Sequence, residues 1–450
     1  MMPSPLIRKC HFAALVFSLA LGPATLAETF YIAPPPVGDD AHPGTLEEPW
    51  ATLQHAADTI AAGDTVWVRA GSYQGAHFTT SGTAAQPIVL QAFPGEEVSI
   101  DADNPVTPDG INLEGVSYMT VQGFRVDGRT RTGIRAVLCE HVTLRDNRAD
   151  QNGVWGIFTG FCDDLLIEGN TTTGSVVEHG IYVSNSGDRP VIRDNLVFGN
   201  HANGIHMNGD VSQGGDGVIS SAVVENNIIF DNGIGGGSGI NCDGVTDSIL
   251  RNNLIYDAHA SGISLFRIDG GAPSTNNKVY NNTVVVASDG RWALNIQNAS
   301  TGNQVRNNAL YSHHSFRGAL NISSDSLPGF SSDYNIVEDR FTTDDSATIL
   351  SLAEWQAQTS QDGFSSVATP TELFLDPTNG DHRLRADSPA LDAGEILAEV
   401  PDDLVGHPRP FGPTHDVGCY EGSGVVFLDG FESGDLSAWS TVSFHHEDEK

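Results

Sequence analysis

The chain has 450 residues, a formal net charge of −35, 49 glycines, and 22 lysines and arginines against 57 acidic residues. It is long enough for a large or elongated core, and so acidic that nucleic acid and anionic membranes are repelled as partners. Many glycines and few lysines argue for strands and turns rather than a helical bundle, and after the leader no apolar run approaches the ~18 residues of a membrane span.

Arg8 and Lys9, the apolar run from Phe12 to Leu21 and Thr25-Leu26-Ala27 supply the charged, hydrophobic and small-residue parts of a secretory signal. Cleavage is expected after Ala27, so residues 1–27 are set apart from the fold and the mature chain is expected to be secreted, extracellular or on the cell surface. Thr52 opens a helical segment reaching about Ala62, ahead of a strand at Thr65 to Arg69. Residues 28–109 thus read as an N-terminal cap with the first rungs, its helix covering a core and strand edges otherwise left open.

From 110 to 345 the chain repeats itself. A Gly-Ile pair recurs at Gly110, Gly133, Gly156, Gly180, Gly204, Gly239 and Gly262, with weaker copies at Ala293-Leu294 and Ala319-Leu320. An Asn closes a short apolar strand at Asn147, Asn170, Asn195, Asn227, Asn253, Asn282 and Asn308 on the same period, and three positions before each lies an apolar residue, Leu144, Ile167, Ile192, Val224, Leu250, Val279 or Val305. One inward column per turn is a solenoid core. Short β-branched runs broken by Gly, Asn and Asp favour a parallel β-helix over a leucine-rich repeat, which needs more Leu and a packed return segment. Stacked Asn side chains then have a structural cause and mark no site. Cys139 and Cys162 occupy equivalent positions, so their sulfurs are expected one strand spacing apart, as a bridge or as a buried thiol ladder.

Two turns are longer than the rest, and in both the extra residues leave the end of the same strand: 209–219 (GDVSQGGDGVI) and 266–276 (FRIDGGAPSTN). Two such lips predict a groove between them. Residues 346–424 lose the repeat and read as a C-terminal capping module. Residues 425–450, with VVFLDGFESGDLSAWS, read as a separate tail.

GDDAHPGTLEEPWATLQHAAD…GDTVWVRAGSY resembles the entry segment of secreted bacterial right-handed parallel β-helix proteins of the pectate lyase-like superfamily. HRLRADSPALDAG…DLVGHPRPFGPTHDVGCYE is similar to the closing module of many such proteins, and DGFESGDLSAW to a terminal tag of exported bacterial proteins. The resemblance implies an all-β, right-handed parallel β-helix with a helical N-terminal cap and a C-terminal capping module. For activity it implies only a range, since the superfamily holds lyases, epimerases, hydrolases and non-enzymes. The motif set of the polygalacturonan hydrolases is absent, and the Asp-Pro-His of mannuronan epimerases is replaced by Asp376-Pro377-Thr378. Lys278 aligns with Ile249 and Val223 at the lead of a strand, away from the groove, so a lysine base is not expected.

Strand alternation assigns faces. With each Gly-Ile isoleucine inward, the next residues point outward: Asn112, Arg135, Phe158, Tyr182, His206, Asn241, Ser264, Asn295. Two positions on come Ser184, Asn208, Asp243 and Phe266. Tyr182, His206, Asn208, Asn241 and Asp243, beside the loop residues Asp210, Asp216, Arg267 and Asp269, form the expected site. The proposed chemistry is C5 proton abstraction and β-elimination on a uronic-acid-containing polysaccharide by a monomeric enzyme. His206 is the expected base and Tyr182 the acid, or the reverse. Arg267, or Ca2+ held by Asp243, Asp210 and Asn208, would quiet the carboxylate, and Asn208, Asn241 and Asp269 would contact substrate. A uronate C5-epimerase shares the first step. A non-catalytic glycan-binding or adhesion protein remains the alternative of a different class. A hydrolase ranks lower, for want of a clear pair of facing carboxylates.

Overall fold

The computed structural model describes residues 27–422; residues 1–26 of the leader and the 425–450 tail lie outside the described residues. The chain winds as a right-handed solenoid of about 12 turns. Three parallel sheets of 12, 11 and 12 strands run along its axis, and each complete turn gives one strand to each sheet. Among the described residues no helix is long and apolar enough to cross a membrane.

The core is stacked by register. Ile134, Ile157, Ile181, Ile205, Ile240 and Ile263 lie side by side in the 11-stranded sheet, with Leu294 and Leu320 continuing the column, all fully or nearly fully buried. Leu144, Ile167, Ile192, Val224, Leu250, Val279 and Val305 form the second column. The glycine before each isoleucine is required by the neighbouring turn. A Cβ on Gly156 would lie 2.7 Å from the Gly180 carbonyl oxygen, and one on Gly204 2.8 Å from that of Gly239.

The Asn ladder is continuous. Each Oδ1 accepts both the backbone N–H and the Nδ2–H of the Asn one turn earlier, as at Asn195 to Asn227 (3.1 and 2.9 Å), and each Nδ2 also donates to a main-chain carbonyl of the previous turn. The residue before each ladder Asn has positive φ: Asp146, Gly169, Asp194, Asn226, Asn252, Asn281 and Asn307. Asp, Asn and Gly are the residues that tolerate that left-handed corner.

At the N-terminal end the helix Leu53–Thr59, capped by the Thr52 hydroxyl, buries Leu53, Ala56 and Ala57 over the first rungs. At the other end the helix Leu352–Thr359 inserts Trp355, fully buried and stacked on Phe341 at 5.2 Å. The rest of the C-terminal module does not extend that plug. Residues 370–421 fold back along the solenoid's side, where Leu373, Phe374, Ala390 and Val417 pack on Val285, Ala309, Tyr311 and Ile336. Lys278 is used there, paired with Glu399 at 2.9 Å. Cys139 and Cys162 are free, buried thiols in a ladder, with the Cys139 N–H donating to the Cys162 Sγ at 3.3 Å.

Candidate functional site

The outward face of the 11-stranded sheet carries one continuous row. Register places Phe158, Tyr182, His206, Asn241, Ser264, Asn295 and Asn321 beside one another, one per turn. Tyr182 stacks on His206, ring centroids 4.9 Å apart at 11°, and the buried His179 meets both rings edge-on. Asn208 Nδ2 donates to the Tyr182 hydroxyl at 3.2 Å, and Asn241 Nδ2 donates to Asn203 Oδ1 at 2.9 Å.

Hydrogen bonding fixes where the protons sit. The Asn203 backbone N–H donates to His179 Nδ1 at 3.2 Å, so that nitrogen is an acceptor and His179 carries its proton on Nε2. His179 Nε2 lies 3.0 Å from His206 Nδ1 and 3.0 Å from a Glu178 carboxylate oxygen. That one proton faces both the Glu178 carboxylate and His206 Nδ1; shared with the latter, it makes His206 Nδ1 an acceptor and puts the His206 proton on Nε2. Burial, and secondarily the neighbouring His179, hold the His206 pKa well below 6.5, so the ring is neutral. Burial also pushes the Tyr182 phenol above 10.0, against opposing hydrogen bonds from Ser184 and Asn208.

A concavity begins at Asn241 and runs toward the C-terminal end. It is a groove of about 380 Å³. Asn241, Ser264, Asn295 and Asn321 form its floor, Arg291, Trp292 and Arg317 line one side, and Phe266, Ile268 and Gln297 the other. Tyr182 and His206 continue the floor row beyond its N-terminal end.

Residues 30–161 match the family described as Pel9A-like, right handed beta helix region, and residues 156–337 match the right handed beta helix region. The chain is similar to pectate lyase PEL9 of Emericella nidulans, 42% identical over 93 residues, which are 20% of this chain and 22% of that protein. It is also similar to the uncharacterized protein YwoF of Bacillus subtilis, 30% identical over 133 residues, 26% of this chain and 28% of that one. The matched part thus spans less than a third of either relative. In structure it resembles pectate lyase Pel9A, with a TM-score of 0.59 at 15% identity over 89% of this chain and 97% of that one. XylC in complex with xylose gives 0.55 at 9% identity, over 87% and 98%. The chain is a right-handed parallel β-helix.

Within this β-helix the two long loops do not stand apart as lips. Val211 N–H donates to the Asp269 carbonyl and Gly271 N–H to that of Gly217, which joins 209–219 and 266–276 into one wall with the groove beside them. Asp243 is the cause. Its carboxylate, 2% exposed, accepts the N–H groups of Ile268, Asp269 and Gly270 at 2.8–3.0 Å and so anchors the second loop. Asp210 Oδ1 accepts the Ser212 N–H and hydroxyl, Asn208 Oδ1 accepts the Asp210 N–H, and Arg267 Nε donates to the Gly270 carbonyl. Oxygens committed in this way do not fit the Ca2+ ligand set expected of Asp243, Asp210 and Asn208. Asp269 contributes its main chain to the wall. Among the described residues the only cluster of at least three ligand-type side chains is Glu140, His141 and Asp164, and there Asp164 already pairs with Arg189.

Arg291 and Arg317 are the groove residues that sequence reasoning missed. Both precede the inward Leu by three positions, in RWALN and RGALN, and extending the outward row from Asn295 to Asn321 would have found them. The turn carrying Arg291 is stapled one turn back. His259 Nδ1 bonds the Asp289 carboxylate at 2.9 Å, and Nε2 bonds Asp231 at 2.9 Å. Partial burial works to lower the His259 pKa, but the hydrogen bonds to Asp289 and Asp231 prevail and raise it above 6.5. A raised histidine pKa stabilises the fold fully below the unfolded value and loses that effect as pH rises through the folded value. The melting temperature of the wild type is therefore expected to exceed that of His259→Asn at pH 6, with the gap closing by pH 9; a gap that widens with pH contradicts the staple.

Proposed function

We propose that the chain is a secreted polysaccharide lyase-like protein that acts on uronic-acid-containing glycans by β-elimination. The observation that carries this reading is the Tyr182–His206 stack continuing the floor row of a polar groove, on a fold shared with pectate lyase Pel9A. With the His206 proton on Nε2, the roles are those of the exchanged assignment. His206 gives its Nε2 proton to the departing O4 while the Tyr182 oxygen, as phenolate, takes the C5 proton, and that proton then passes from the Tyr182 phenol to His206, which restores both groups. Asn208 Nδ2–H stabilises that phenolate, and Asn241 orients the sugar in the neighbouring subsite. No step is routed through Ca2+.

The test is a screen of pectate, alginate, glucuronan and glycosaminoglycans for ultraviolet absorbance from unsaturated uronate ends, with and without chelator. Absorbance on one polymer class that persists in chelator is expected. An epimerase would change the uronate composition without new absorbance. The raised Tyr182 pKa favours one second reading, a non-catalytic glycan-binding protein. Retained binding with neither absorbance nor epimerisation would establish it and overturn the lyase.

A further inference from the structure

Among the described residues every lysine and arginine forms an ion pair with a carboxylate, except Arg267, Arg291 and Arg317. In a chain of net charge −35, cations left without an acidic partner are the exception, and two of these three, Arg291 and Arg317, line one groove. Arg291 and Arg317 line the same side of the groove, and Arg267 lies between two residues of the opposite wall. Arg317 Nη1 donates to the Gly290 carbonyl at 3.2 Å, which ties its guanidinium to the turn that bears Arg291. On the floor, Asn241 and Asn321 are more than nine-tenths buried, and the Oδ1 of each has no hydrogen-bond partner.

We propose that Arg291 and Arg317 form an anion subsite that pairs with the carboxylates of consecutive uronate units in a glycan lying along the solenoid axis. The two arginines belong to neighbouring turns, ~4.8 Å apart along the axis, the scale on which a polyuronate presents successive carboxylates. Guanidinium groups bind carboxylates through paired, charge-assisted hydrogen bonds. The pair does without a metal the task first expected of Arg267 or calcium, screening a polyanion from an acidic protein. This inference deepens the reading of the groove as a uronate-glycan site and rests on it. Sulfate esters offer the same chemistry, so the test separates the two sources.

The experiment is calorimetric titration of the full chain, in chelator, with polygalacturonate, its methyl ester, alginate and dextran sulfate. Wild type is expected to bind at least one polyuronate and to bind the methyl ester at least tenfold more weakly. Arg291→Ala and Arg317→Ala should each weaken polyuronate binding about tenfold, and the double variant about a hundredfold. Arg291→Lys should recover part of the loss, and Arg148→Ala, an exposed paired arginine, should change nothing. Preference for dextran sulfate assigns the subsite to sulfate and overturns the carboxylate assignment. Equal binding of the methyl ester, unchanged binding by a folded double variant, or no binding to any polyanion also overturns it. Loss of binding in the double variant with no unsaturated product from wild type leaves the subsite standing and removes the lyase. Products formed by the double variant at unchanged KM do the reverse.

Discussion

Replacing Asn227 with alanine is expected to cost about 4 kcal/mol of stability. Asn227 is fully buried in mid-ladder. Its Oδ1 accepts two bonds from Asn195, and its Nδ2 donates to the Ile192 carbonyl and to Asn253 Oδ1, each at 2.9 Å. Truncation strands the Asn195 main-chain N–H and one Asn195 amide proton in a dry interior and takes a bond from the Ile192 carbonyl. A buried polar group left unpaired costs roughly 1–3 kcal/mol. Solvent cannot reach the vacancy to compensate, and leucine would fare no better because it satisfies none of the three. Denaturant titration, with hydrogen exchange at residues 195 and 253 to localise the damage, measures the effect. Exchange protection should fall first on the turns either side of 227, since each turn leans only on its neighbours. A loss below about 1 kcal/mol would show that the ladder is dispensable.

The same residues explain how far the sequence could be read. A solenoid repeats its local constraints, so the inward column, the ladder Asn and the small or Asx residue before it each appear once per turn and announce themselves by period. Gly156 and Gly204 recur because a Cβ would strike the next turn's carbonyl, a constraint that any copy of the corner shares. Period-two alternation then gives the outward row from Phe158 to Asn295, and the register bears it out pair by pair. Features that occur once carry no period. The carboxylate of Asp243 is saturated by three N–H groups of a loop whose path depends on that carboxylate, so neither half could be inferred without the other. The return of 370–421 along the solenoid's side depends on tertiary contacts such as Val417 against the face of Val285 and Tyr311. His179 stands just before the Gly180 corner. It is buried, yet its Nε2 meets His206, and only the Asn203 N–H on its other nitrogen shows which proton goes where.

That proton placement yields the sharpest test of the chemistry. Under the exchanged assignment, His206→Ala and Tyr182→Phe should each lower kcat by about 10²- to 10⁴-fold, the range of a lost general acid or base. The double variant should be little worse than either single one, because the two groups serve one elimination. The pH profile follows from Tyr182. The active form is the phenolate, and its pKa is raised above 10.0, so the rate should climb about tenfold per pH unit from pH 7 toward pH 9. A histidine base with a depressed pKa would instead give a rate already flat above pH 7. His179 acts as a positioning residue through the same chain. His179→Leu removes the donor to His206 Nδ1 and frees the imidazole to take the other tautomer, whereas His179→Gln keeps an N–H donor. The leucine variant should lose kcat more than KM, with glutamine restoring part of it, and nitrogen-15 shifts of labelled His206 should report protonated Nε2 in wild type and a mixture in the leucine variant. Full activity in folded His206→Ala and Tyr182→Phe, or a protonated Nδ1 in wild type, would remove this mechanism and leave the Tyr182–His206 stack as the aromatic end of a binding groove.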